Sequence, residues 1–142
     1  MVVSVPPSEL ENLVAIGSLK HAPPSPVEIE SLVSSARARL QDARSENLAL
    51  ESRFDLAYNA AHALALAALR FHGYRSGKRY IVFQVLPHTA GIDTVTWRVL
   101  SKAHDERNLM EYEGGGHIDA RLLDDLIAAA TLIERKVTEL LR

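Results

Sequence analysis

From Leu48 to His72 the chain reads LALESRFDLAYNAAHALALAALRFH, without a glycine or proline, and Gly73 follows directly. Alanine and leucine are strong helix formers and glycine is a natural helix stop, so this stretch predicts one long helix. Small side chains around most of its circumference let neighbours approach closely, which places it inside a bundle. Asn59 and His62 are its polar exceptions, and a polar residue so placed is first a satisfied hydrogen bonder of the core. With 142 residues, 47% of them hydrophobic, the chain suffices for one domain with a real core.

The other helices announce themselves by their starts. In SPVE, Ser25 is the expected N-cap, Pro26 takes the first helical position and Glu28 completes a capping box. A helix to about Arg44 follows, with Ile29, Leu32, Val33, Ala36 and Leu40 at helical spacing. Asp93 or Thr94 caps a helix through TVTWRVLSKAHDERNLMEY that must end by Gly114–Gly116. Asp119 caps the last, with Leu122, Leu126, Ile127, Ala130, Ile133, Val137 and Leu141 as its stripe. Residues 79–91 contain Ile81, Val82, Phe83, Val85 and Leu86, a strand by residue type. A lone strand has no partner among helices, so a short helix limited by Pro87 is expected.

The first 24 residues read as an N-terminal arm and linker. SELE, residues 8–11, spells a capping box for a short helix, and GSLKHAPPSP strips out donors with its prolines. The expected fold is all-α, an up-and-down bundle of four to five helices over residues 25–142. A formal charge of −2 and a pI near 6.3 exclude a globally basic nucleic-acid binder, so any such contact must come from a local patch. The absence of cysteine removes disulfides, thiolate zinc sites and cysteine nucleophiles, as suits a reducing cytoplasm. No apolar run approaches a membrane span and no export signal is visible, so a soluble cytoplasmic protein is expected. No HxxxH or His–carboxylate cluster stands out, and neither metal nor cofactor is expected.

The chemistry concentrates in HDERNLMEYEGGGH, residues 104–117. At about 100° per residue, His104, Arg107, Asn108, Glu111 and Tyr112 share an arc of roughly 140°, opposite Val95, Val99, Leu100, Ala103 and Met110. A guanidinium forks onto two phosphate oxygens, an adjacent amide orients a neighbouring hydroxyl, and Glu111 can hold Arg107 by an i,i+4 pair. The same residues also describe a solvated helix face. A second patch lies at residues 70–92, where Arg70, Arg75, Lys78 and Arg79 occur with no acid. There Arg75, Lys78 and Arg79, with His104, can track an RNA backbone while Tyr74 and Tyr80 stack bases. Cations at a helix end also complement its dipole, which is the plainer explanation.

The helix ending in ERNLMEY, preceded by RFDLAYNAAHALALAALRFHGYR, resembles the HEPN superfamily of small helical domains over roughly residues 46–140. That family's signature is an Arg, a polar residue that is often Asn, and a His a few positions on. Arg107 and Asn108 match its opening; Tyr112, followed by Glu113 and Gly114, stands where the His is sought. The resemblance implies a helical bundle, commonly a homodimer, with the Arg motifs of two subunits facing across a shared cleft. In active members it implies metal-independent endoribonuclease activity in toxin–antitoxin or defence systems, with an antitoxin or nucleotidyltransferase partner. There the Arg steadies the scissile phosphate and the His assists as the ribose 2′-hydroxyl attacks; Arg107, Asn108 and Tyr112 are the corresponding catalytic candidates. A phenol titrates near 10 and is a poor base at neutral pH, so His104 or His117 is the alternative proton acceptor. The leading expectation is a dimeric HEPN-like domain that binds RNA or nucleotide phosphate, acting as a ribonuclease toxin where cleavage survives. The alternative is a non-catalytic helical interaction module using the same polar face.

Overall fold

The structure is a computed structural model that describes residues 8–114 and 118–142. In chain order it contains α1 (Ser8–Ala15), β1 (Lys20–His21), α2 (Pro26–Ala43), α3 (Leu50–Phe71), β2 (Tyr74–Arg75), α4 (Arg79–Gln84), α5 (Leu86–Thr89), α6 (Thr94–Asn108), a π-helical turn (Leu109–Glu113) and α7 (Ala120–Leu140). Three starts follow the expected chemistry. Ser25 accepts from the Glu28 amide at 3.3 Å, Asp93 from Thr96 at 2.7 Å and Asp119 from Leu122 at 2.8 Å. Each satisfies a backbone donor that the first turn leaves free.

The alanine-rich α3 is central, packing against α2 and α7 and meeting α4 and α5. Its alanines at 57, 60, 61, 63, 65, 67 and 68 are buried, together with Phe54, Tyr58, Leu64 and Leu69. The facing stripes are Ile29, Val33, Ala36 and Leu40 on α2 and Leu122, Leu126, Ala130, Ile133 and Val137 on α7. Leu32 and Ile127 pack only partly, and Leu141 is exposed beyond the end of α7. Close packing of this kind leaves no room for larger side chains. Ala61→Leu is expected to cost about 1–3 kcal/mol of stability through overpacking, read as a lower urea midpoint with an unchanged slope.

Polar contacts tie the helices at their rims. Arg53 donates to the Ala43 carbonyl at 2.8 Å, satisfying the end of α2, and Arg44 and Arg37 reach Thr131 and Thr138 on α7 at 2.8 and 3.1 Å. Residues 79–91 form the two short helices α4 and α5, with Val82, Phe83, Val85 and Leu86 in the core. His72 reaches across to the Thr89 carbonyl at 2.8 Å, fastening α5 to the end of α3.

The N-terminal segment, expected as an arm and linker with a short helix, is docked on its own domain. From Ser8 onward it lies on the bundle, with Leu10 and Leu19 fully buried in the common core. Beyond them, Lys20 and His21 pair antiparallel with Arg75 and Tyr74 in a two-residue ladder, an element the all-helical reading did not contain. Gly73 makes the ladder possible: its φ of 89° turns the chain out of α3, and its carbonyl accepts from Ala22 at 2.9 Å. The expected SELE box is not made as such, because Glu11 is turned to the Tyr74 hydroxyl and lies 3.4 Å from His21.

Arg70 locks this junction. It is only 2% exposed, and it donates to Glu28 at 3.1 Å and to the carbonyls of Ala22, Pro23 and Tyr74 at 3.1, 2.7 and 3.2 Å. Glu28 also holds Arg75 at 2.9 Å. A buried guanidinium is tolerated when its donors are matched in this way.

Candidate functional site

The polar groups converge where α6 and α4 meet the middle of α3. Tyr58 on α3 is buried there, with its ring stacked at 6.3 Å on Phe54 and edge-on to Phe83 at 5.6 Å. The Arg107 guanidinium lies over the Tyr58 ring at 4.6 Å, and Arg79, from the start of α4, approaches the same ring at 5.8 Å. Two cations therefore approach one aromatic ring, an arrangement that its quadrupole favours but that like charges oppose.

His104 links the parts. Its Nδ1 is 3.0 Å from the Tyr58 hydroxyl and its Nε2 is 3.1 Å from the Asn108 side-chain amide. When that amide donates to Nε2, the ring proton sits on Nδ1 and is donated to the Tyr58 oxygen. Burial holds the His104 imidazole below its ordinary pKa, with Arg79 and Arg107 adding to the effect against Asp105. Burial is also the chief reason that the Tyr58 phenol is raised, although the nearby Arg79 works the other way. Both groups are consequently neutral at pH 7 and act as fixed dipoles.

His62, one turn after Tyr58 on α3, packs edge-on to Phe83 at 5.8 Å. Its pKa falls to about 4, first through burial and then through Arg79, Arg107 and His104. The sign of the linkage follows. The unfolded chain binds a proton near pH 6.5 that the folded chain refuses, so this contribution to stability is full above about pH 6.5 and is lost as pH falls toward 4. Thermal melts are expected to show a fall in midpoint across that window, smaller in His62→Gln.

Arg107 is incompletely neutralised. Its Nε stands 3.8 Å from Glu111, a long pair whose carboxylate is half exposed, and the Arg107 side chain itself is 20% exposed. Its Nη1 is closed to solvent and has no hydrogen-bond acceptor among the described residues. Such a pair contributes little, so the exposed part of the guanidinium keeps most of its charge for an anion that reaches it. A shallow cavity of about 290 Å³ opens beside it, lined by Asp55, Arg107, Met110 and Glu111.

Of the residues singled out from sequence, His104, Arg107 and Asn108 are brought together and Arg79 joins them from another element. Tyr112 stands apart. The helix changes to π geometry at Leu109, so the α-helical arc does not continue, and the Tyr112 side chain is 78% exposed with no hydrogen bond or ring contact among the described residues. Arg75 is engaged by Glu28, Lys78 is exposed at the N-cap of α4, and Tyr74 is buried. Val95, expected on the apolar side of α6, is 73% exposed, because α6 buries only Leu100 and Ala103. Asn59 satisfies itself on the Asp55 carbonyl at 2.8 Å. His117 lies outside the described residues.

Tyr58 and His62 were the members missed as site residues. Their signal was the i,i+4 spacing of two polar aromatic rings in an otherwise alanine–leucine helix, which puts both on one face. Among the described residues, no group of three or more His, Asp or Glu side chains is placed to hold a metal ion, and no helix is long and apolar enough to cross a membrane. No protein-family model matches the chain, and no curated protein matches it.

Proposed function

We propose that this chain is a HEPN-like domain that binds the phosphate of RNA or a nucleotide through Arg107, Asn108 and Arg79. The observation that carries the reading is the convergence of two guanidiniums on the Tyr58 ring, with the Arg107 side chain still 20% exposed and only a long contact to Glu111 to neutralise it. A phosphate oxygen relieves the repulsion between Arg79 and Arg107 and takes over from the long Glu111 contact. Asn108, one residue on from Arg107, rests on His104.

Cleavage of the bound strand without a metal needs a group that takes the 2′-hydroxyl proton. His104 suits that role better than Tyr112, because it is neutral and lies in the same hydrogen-bonded cluster, with Nε2 freed once Asn108 turns to substrate. Incubation of labelled single-stranded RNA with wild type and with Arg107→Ala tests the reading. Binding, with or without cleavage, that is lost in the variant supports it; wild type that neither binds nor cuts contradicts it.

A second reading, a helical interaction module, is favoured by the exposed Val95 and Tyr112, which α6 and its π-helical continuation leave without a partner in one protomer. The two readings meet in a homodimer that places two Arg107 motifs across one cleft. Light scattering at high micromolar concentration is expected to give twice the mass of the chain, and a monomer would remove the shared cleft.

A further inference from the structure

We infer that the ligand of this site is a single-stranded nucleotide chain whose base stacks on Tyr80. The inference rests on the phosphate reading above and deepens it by assigning what lies next to the phosphate. Tyr80 is the residue after Arg79 and is 50% exposed. Its ring is 5.9 Å from that of His104, tilted at 48°, and the His104 ring is in turn 6.4 Å from that of Tyr58, which Arg107 covers. Tyr80 thus ends a short series of rings that starts at the cationic notch, and its ring is the exposed one of the three.

The other aromatics do not offer this. Tyr74 is buried, Phe83 is buried against Tyr58, and Tyr112 has no ring neighbour among the described residues. Tyr80 is backed by His104 on one side and flanked by Arg79, so its orientation is supported while part of its surface stays open. Stacking on such a ring needs a free base face, which a paired duplex does not present, and it tolerates any base identity. The site therefore takes single strands in preference to duplex and shows little sequence preference.

Fluorescence anisotropy with a short labelled oligouridylate, its duplex with oligoadenylate, and pyrophosphate as a competitor without a base separates the two layers of the reading. Tyr80→Leu is expected to weaken oligouridylate binding about tenfold while leaving competition by pyrophosphate unchanged, and Tyr80→Phe is expected to match wild type. Because Tyr80 is half exposed, its substitution should leave the melting temperature in place, which calorimetry checks on the same samples. Unaltered oligouridylate affinity in Tyr80→Leu, or equal affinity for duplex and single strand, overturns the stacking site while leaving the phosphate reading standing. Wild type that binds neither oligouridylate nor pyrophosphate overturns both.

Discussion

Replacing Arg107 by alanine is expected to weaken RNA binding by about ten- to a hundredfold, the value of losing one or two charge-assisted hydrogen bonds to phosphate. The fold should survive. Arg107 contributes a cation–π contact to Tyr58 and a long pair to Glu111, and contacts of these kinds are worth roughly 1 kcal/mol in sum. Arg107→Lys is expected to recover only part of the affinity, because an ammonium cannot fork onto two oxygens or lie flat over the Tyr58 ring in the same way. Binding curves and melting curves from the same preparations separate these effects. An unaltered binding constant in Arg107→Ala would remove the residue from the site.

The largest effect on stability is expected at Arg70. Arg70→Ala leaves the Glu28 carboxylate and the carbonyls of Ala22, Pro23 and Tyr74 without the donor that now serves them all. Glu28 keeps Arg75, but three carbonyls lose a buried charged donor at about 1–3 kcal/mol each, so the total is roughly 3–5 kcal/mol. For a chain of this size that corresponds to a fall of roughly 10–20 °C in melting temperature. The damage should be greatest at the ladder between β1 and β2, so hydrogen exchange at the Ala22 amide, which donates to the Gly73 carbonyl, should accelerate first. RNA binding in surviving folded protein should be little changed, since Arg70 is engaged at the far end of α3 from Tyr58. Unchanged stability in Arg70→Ala would refute the account of this junction.

These two arginines show where sequence was legible and where it was not. Both were visible as cations, but sequence gives no direction for a side chain. Arg70 looked like part of a basic patch and is instead turned inward, because Glu28 and the carbonyls of Ala22 and Pro23 come from a segment about 45 positions away that local pattern cannot place. Helix starts were legible because capping is a local contest between a few atoms: Ser25, Asp93 and Asp119 each cap as their spacing requires. The buried stripes of α2 and α7 were legible for the same reason, through period alone.

The two-residue ladder was not, since so short a pairing carries no alternation to detect. Nor was the π-helical turn at Leu109–Glu113. The triple glycine promised a stop but did not say that the last turn before it would be π-helical, with Tyr112 exposed on it. On α6, the closeness of His104, Arg107 and Asn108 followed from helical spacing. Their meeting with Tyr58 and Arg79 is a tertiary fact that spacing does not hold.

The central claim is that Arg107 and Arg79 jointly receive a phosphate. Its most direct measurement is a nitrogen-15 correlation spectrum of the arginine side-chain Nε–H groups, titrated with a short oligouridylate. The account predicts that the Arg107 and Arg79 signals shift together with one dissociation constant while Arg70 and Arg75, occupied by Glu28, stay in place. Signals of Arg107 and Arg79 that do not move, or shifts confined to Arg75, would contradict it.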